Sequence, residues 1–115
     1  MTFNYSTTQQ KGIEVFKLEG EIIDKSQTNG LVSQISELIS SGKKNIILDL
    51  SGLRYMNSSG LNILVGILTK ARNSGGEALI CNLSPKVRDL VVVLKLDTIF
   101  HILPSVEEAV KRLTA

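Results

Sequence analysis

The chain has 115 residues, enough to bury the core of one domain but short for two. Hydrophobic residues make up 43%, charged residues 21% and the net charge is +2, which is ordinary for a folded domain, and no basic stripe interleaved with aromatic residues predicts nucleic-acid binding. No signal-peptide pattern and no apolar run of membrane-spanning length occur, so we expect a cytoplasmic protein that does not engage a membrane.

The first part of the chain predicts a hairpin and a helix. Strands over residues 3–9 and 13–19, joined by a short turn, are typical of an antiparallel hairpin, and Gly20 is expected to end the second strand before a loop over 21–24. Apolar residues at helical spacing follow and predict a helix, which Gly42 is expected to end. These apolar residues are Leu31, Val32, Ile35, Leu38 and Ile39.

The second half predicts three strands and three helices. The largely apolar segment 45–50 is typical of a central parallel strand and leads into a loop over 51–55. A helix over 58–73 and a strand over 77–81 come next, then a helix beginning at Ser84-Pro85, a short strand over 99–102 and a last helix. The third helix should bury Val87, Leu90, Val91 and Leu94, and the last helix, opened by a Ser105–Glu108 capping box, should bury Val106, Ala109, Val110 and Leu113.

This order of elements predicts an α/β domain. Helices alternate with strands after the first hairpin, which indicates parallel pairing in one mixed sheet with an antiparallel hairpin at its edge.

The candidate site is the segment Asn57-Ser58-Ser59-Gly60, where the buried strand gives way to the central helix. A helix N-terminus carries unpaired amides and partial positive charge, so it suits an anion. From position alone, Ser58 is either a residue that satisfies the free amides of the helix or a hydroxyl at which a phosphate could be added and tolerated.

The usual catalytic motifs are absent from the sequence. It contains no Gly-x-Gly-x-x-Gly, no Walker A loop, no Gly-x-Ser-x-Gly and no metal-ligand cluster, so we expect neither an enzyme nor a cofactor. The single His101 lies between Phe100 and Ile102 and is interpreted as a structural or surface side chain. Cys81, alone in an apolar run, is interpreted as a small buried hydrophobe.

Residues 46–85 resemble the bacterial anti-sigma-factor antagonists, the single-domain STAS proteins. The matching segments are Ile46–Ser51, Tyr55–Leu61, Gly75–Glu77 and Leu83–Val87. The resemblance implies a single STAS domain over residues 1–115, a mixed sheet and about four helices mainly on one face.

The resemblance also implies a function by partner switching. In that family the unphosphorylated antagonist binds an anti-sigma factor, itself a serine kinase of the histidine-kinase-like ATPase type, and so frees a sigma factor. The kinase phosphorylates the first serine of the motif, and a phosphatase reverses the modification. By position, the acceptor here is Ser58. The implied partner-binding residues are Asp24, Asn57, Ser58, Ser59, Gly60, Leu61 and Asn62.

Three positions depart from the family pattern. Asn57 replaces the acidic residue before the acceptor, and Asn62 replaces a glycine. Ile23 stands where the family commonly has a second acidic residue, and the acid comes one place later, at Asp24. Asparagine still caps a helix about as well as aspartate, but it supplies no negative charge. The position of Asp24 leaves open whether it lies beside the site or caps the next helix.

Two other interpretations remain open at this stage. The first is a STAS regulatory or assembly subunit of a transport or signalling complex, which carries no phosphate. The second, a serine hydrolase, would need His101 to reach Ser58 or Ser59, and nothing in the sequence indicates that. The resemblance suggests a monomer or weak dimer when the protein is free.

Overall fold

The computed structural model describes residues 2–114. Five strands occupy Phe3–Gln10 (β1), Ile13–Ile22 (β2), Asn45–Met56 (β3), Glu77–Cys81 (β4) and His101–Leu103 (β5). Four α-helices occupy Asn29–Ser40 (α1), Ser58–Asn73 (α2), Pro85–Val93 (α3) and Val106–Thr114 (α4). Short 3₁₀ turns span Lys25–Thr28 and Leu96–Thr98.

The strands form one mixed sheet in the order β1-β2-β3-β4-β5. β1 and β2 pair antiparallel, and the other neighbours pair parallel. The predicted hairpin and the predicted parallel pairing are both confirmed. The bounds of α2 and β4 agree with the helix and strand expected over 58–73 and 77–81.

Two strands are longer than the sequence predicts. Gly20 does not end β2, which continues to Ile22, and residues 51–55 form part of β3 rather than a loop. The β2–β3 pairing shifts register twice along this stretch, so inward and outward side chains lose the strict alternation that would mark a strand. Gly20 remains in the ladder with φ of +95°, and a Cβ atom there would collide with the carbonyl oxygen of Thr2.

The end of α3 also differs from the prediction. The helix stops at Val93, and Lys95 takes a left-handed conformation with φ of +59°. Leu94 therefore leaves the helical stripe and is 48% exposed instead of buried. Because a 3₁₀ turn occupies Leu96–Thr98, the last strand begins at His101 and not at Ile99.

Each face of the sheet carries its own core. On one face α1, α2 and α3 cover alternate strand residues such as Phe16, Leu48 and Ile80. On the other face α4 covers Ile47 and Leu79 with their neighbours. Three of the four helices thus share a face, which confirms the expected arrangement. Among residues 2–114, none of the helices combines the length and apolar character needed to span a bilayer.

Candidate functional site

Ser58 is the first residue of α2, where the chain leaves the core. β3 ends at Met56, which is fully buried, and the next residue, Asn57, caps the helix in an extended conformation. Ser58 and Ser59 are both exposed. Their amides precede the first intrahelical bond, which the amide of Leu61 donates to the carbonyl oxygen of Asn57 at 3.1 Å. The two hydroxyls therefore stand at the positive end of a four-turn helix.

The side chain of Asn57 joins this helix end to the end of β2. Its Oδ1 accepts a hydrogen bond from the amide of Gly60 at 3.2 Å, which confirms the predicted cap. Its Nδ2 donates to the carbonyl oxygen of Ile23 at 2.9 Å. The amide of Asn57 also donates to the carbonyl oxygen of Ile22 at 3.2 Å. The strand end and the helix start are thereby held in one fixed geometry.

Gly60 lets α2 pack closely on the sheet. It is buried, and a Cβ atom at this position would lie 2.8 Å from Cβ of Met56 and 3.1 Å from Cγ2 of Ile22. The glycine is therefore required by packing under the site. Leu61 is only 1% exposed and belongs to the core, so its side chain is not available at a docking surface as the sequence interpretation supposed.

Asp24 caps the turn beside the site. Its Oδ1 accepts from the amide of Ser26 at 3.1 Å, and Oε1 of Gln27 accepts from the amide of Asp24 at 2.9 Å. This capping box begins the 3₁₀ turn over 25–28 and not α1. The interpretation of Asp24 as a cap is therefore right, but the element that it caps is the 3₁₀ turn and not the next α-helix. Asp24 is exposed and directly follows Ile23, to which Asn57 is bonded. The structure thus brings the segment 23–24 against the start of α2.

The exposed part of the site consists of hydroxyl and amide groups. Ser58, Ser59 and Asn62 are exposed on the first turn of α2, which contains no acidic residue. Basic residues Lys70 and Arg72 lie in its last turn, where they match the helix dipole. The helix start therefore keeps its partial positive charge and can accept an anion.

Other reactive side chains do not converge on the serines. Nδ1 of His101 lies 3.3 Å from Nη2 of Arg112, and its Nε2 lies 3.9 Å from Oε2 of Glu77. Cys81 is fully buried, as the sequence indicates, and burial together with the charge of Asp49 raises the pKa of its thiol to about 12. Within the described part of the chain, no group of three or more metal-ligating side chains occurs.

A family model described as STAS domain matches residues 4–109. The chain belongs to the STAS domain family. This confirms the resemblance seen at the strand–helix junction, and the five-stranded mixed sheet is the STAS fold.

This STAS protein has several relatives that are named anti-sigma factor antagonists. It is 29% identical to the anti-sigma F factor antagonist of Paenibacillus polymyxa, over 99% of this chain and 95% of the relative. An anti-sigma factor antagonist from Mycobacterium paratuberculosis has the same fold, with a TM-score of 0.85 and 22% identity over 99% and 96% of the two chains. The unphosphorylated form of the anti-sigma factor antagonist SpoIIAA superimposes with a TM-score of 0.80 and 25% identity over 96% of each chain. SpoIIAA has also been solved in a phosphorylated form.

Proposed function

We propose that this STAS protein is an anti-sigma-factor antagonist that binds a serine-kinase anti-sigma factor and is switched off by phosphorylation at Ser58. The observation that carries the proposal is the exposed hydroxyl of Ser58 on the first residue of α2, next to the Asn57 cap. The relatives named anti-sigma factor antagonists support the role, and the phosphorylated form of SpoIIAA supports a switch of this kind.

The physics of the site is compatible with such a switch. Phosphorylation adds roughly −1.5 to −2 charges. The N-terminus of α2 can carry that charge without unfolding, because a negative charge there is favourable by about 0.3–1 kcal/mol. In a complex, the same dianion would be pressed into a desolvated protein surface and would oppose binding. Local electrostatics alone can then lower the affinity, with no large change of conformation.

The proposed docking surface is centred on the exposed first turn of α2. Ser58, Ser59 and Asn62 supply exposed polar groups, and Asp24 lies on the adjoining turn. Asn57 and Gly60 fix the geometry beneath them, and Leu61 supports the surface from the core. The protein acts by binding its partner in the cytoplasm. The partner, a kinase of the histidine-kinase-like ATPase type, phosphorylates Ser58, and a phosphatase removes the phosphate. This chain contributes no catalytic step and no cofactor.

The proposal is tested first in the protein's own host. Intact-mass analysis with peptide mapping, during growth and under stress, should find one phosphate on Ser58 whose occupancy changes with condition. The anti-sigma factor recovered with the protein should bind wild type and Ser58→Ala equally, and should bind Ser58→Asp at least tenfold more weakly. Ser33→Asp places the same charge on an exposed position of α1 and serves as the matched control. Equal affinity for Ser58→Asp and Ser33→Asp would contradict the switch.

One observation favours a second candidate function. The residue before Ser58 is an asparagine, so it offers no carboxylate to a kinase, and its side-chain amide is engaged in two structural hydrogen bonds. A STAS regulatory or assembly subunit of a transport or signalling complex would need none. Unmodified Ser58 under every condition, together with a stable partner that is not a kinase, would support this alternative.

A further inference from the structure

A groove runs between α1 and α2, beside the 3₁₀ turn over 25–28 and next to the start of α2. It encloses about 520 Å³, and its apolar lining side chains are Val32, Ile63 and Ile67. A volume of this size falls within the range of roughly 300–1,000 Å³ that small-molecule sites occupy. No segment among residues 2–114 fills this space.

Gly66 deepens the middle of this groove. It lies in the interior of α2, where glycine stabilises a helix less than alanine does. A Cβ atom built on Gly66 meets nothing within 4 Å, so no packing contact calls for a glycine. Gly60, six residues earlier on the same helix, is the opposite case, because a Cβ atom there would clash. The effect of Gly66 is to leave room above the helix backbone.

The groove is basic at its rim. Lys25 and Lys70 are its only charged lining residues, and neither forms an ion pair within the described part of the chain. Nζ of Lys70 donates to Oγ of Ser36 on α1 at 2.8 Å, which holds this ammonium group where the two helices meet. An apolar wall with ammonium groups and no carboxylates is complementary to a molecule with an apolar body and a negative head.

We propose that the α1–α2 groove binds a small amphipathic anion, with its alkyl chain along Val32, Ile63 and Gly66 and its carboxylate at Lys25 or Lys70. Ser59 and Asn62 line both this groove and the proposed docking surface, so the bound anion would compete with the partner protein. That competition rests on the proposed function. Binding of the anion itself does not, and it is measured on the chain alone.

The test is a titration of the isotope-labelled chain with dodecanoate below its micelle concentration, followed by NMR. Saturable shifts should be confined to residues of α1, α2 and the 25–28 turn. Along the series octanoate, decanoate and dodecanoate, affinity should rise roughly fourfold for each added methylene, the ratio that corresponds to ~0.8 kcal/mol. Dodecyltrimethylammonium, which has the same tail and the opposite charge, should bind at least tenfold more weakly. Absent or unsaturable shifts with dodecanoate would overturn the proposal.

Two sets of variants localise the site. Gly66→Leu should fill the groove and abolish binding, whereas Gly66→Ala makes a similar change in helix propensity, leaves the groove open and should bind as wild type. Lys25→Gln combined with Lys70→Gln should weaken dodecanoate binding about tenfold, and Lys17→Gln on β2 should not change it. Unchanged binding by Gly66→Leu would refute the site. If no carboxylate binds but Gly66→Leu weakens the complex with the anti-sigma factor, the groove is a protein-docking surface and the proposal is wrong, while the proposed function stands.

Discussion

Nδ2 of Asn57 donates a hydrogen bond to the carbonyl oxygen of Ile23 at 2.9 Å, and this bond connects the end of β2 to the start of α2. The same side chain caps the helix through Oδ1 and the amide of Gly60. An aspartate could reproduce the cap but not the donor, because an ionised carboxylate only accepts hydrogen bonds. The amide at this position therefore has a structural use that a carboxylate lacks.

Substitution of Asn57 should destabilise the protein to a degree that depends on which bond is lost. Asn57→Asp keeps the cap but sets a carboxylate against the carbonyl oxygen of Ile23, and we expect a loss of ~1 kcal/mol in the free energy of unfolding. Asn57→Ala removes both the cap and the donor and should lose ~2 kcal/mol. Urea unfolding followed by circular dichroism measures both values.

Asn62→Ala is the matched control for these two variants. Asn62 is exposed on the same first turn, and alanine has the higher helix propensity, so this variant should be as stable as wild type or slightly more stable. If Asn57→Asp were as stable as wild type, the bond to Ile23 would contribute nothing, and the structural account of this asparagine would fail.

Replacement by alanine should have opposite effects on the free energy of unfolding at the two glycines of α2. Gly60→Ala forces a Cβ atom to 2.8 Å from Cβ of Met56, and the resulting overpacking should cost ~1–3 kcal/mol of unfolding free energy. Gly66→Ala adds a methyl group in open space and should stabilise the protein by ~1 kcal/mol through helix propensity. Thermal unfolding of both variants provides the comparison. Equal effects of the two substitutions would contradict the packing described for Gly60.

Elements with strong local signals could be predicted from the sequence. The bounds of α2 agree with the helix expected over 58–73 because apolar spacing and the capping asparagine are local signals. Ser84 accepts from the amide of Val87, as the Ser-Pro pattern indicates. The continuation of β2 and β3 could not be predicted in the same way. Their register shifts are set by pairing between strands, and the pattern of inward side chains changes where the strands bulge.

The candidate site could be found only in part. The motif points to Asn57 and Ser58 because caps and hydroxyls are local features of a helix start. The spacing of Leu61 fits both the core and a surface, and only tertiary packing decides that it is buried. The sequence alone did not indicate the α1–α2 groove, since Lys25 and Gly66 are 41 positions apart and both line it only because the 3₁₀ turn and the two helices pack together.

A charge at Ser58 should affect folding in a predictable direction. Because Ser58 opens α2 at its positive end, Ser58→Asp should leave the protein as stable as wild type or raise the free energy of unfolding by ~0.3–1 kcal/mol, whereas Ser58→Lys should lower it by a similar amount. Urea unfolding at low ionic strength measures both variants.

Measurements at increasing salt concentration are the control for the Ser58 variants. The difference between Asp and Lys at this exposed position should shrink as ionic strength rises, because the Debye length falls to about 3 Å at 1 M salt. A strongly unfolded Ser58→Asp would show that the helix start cannot carry a negative charge. That result would remove the physical basis of a phosphate switch that acts without unfolding.

Because the thiol of Cys81 is buried, the free energy of unfolding should fall as the pH becomes alkaline. Burial and the charge of Asp49 raise its pKa from 9.0 to about 12 in the folded protein. Above pH 9 the unfolded chain therefore releases a proton that the folded chain retains, which favours unfolding. The contribution of Cys81 to stability is present in full below pH 9 and is lost as the pH rises from 9 towards 12. Urea unfolding at pH 8, 9 and 10 should show this decline.

Cys81→Ala separates the thiol from the other groups that titrate in this range. All groups other than the thiol are common to the variant and the wild type, so the variant should show a shallower decline between pH 8 and 10. The small cavity lowers its stability at every pH. A thiol reagent at pH 8 should label native wild type only as fast as the protein unfolds, because Cys81 is fully buried. Parallel pH slopes for wild type and Cys81→Ala would show that the thiol ionises at the same pH in the folded and unfolded chains, contrary to its burial under α4.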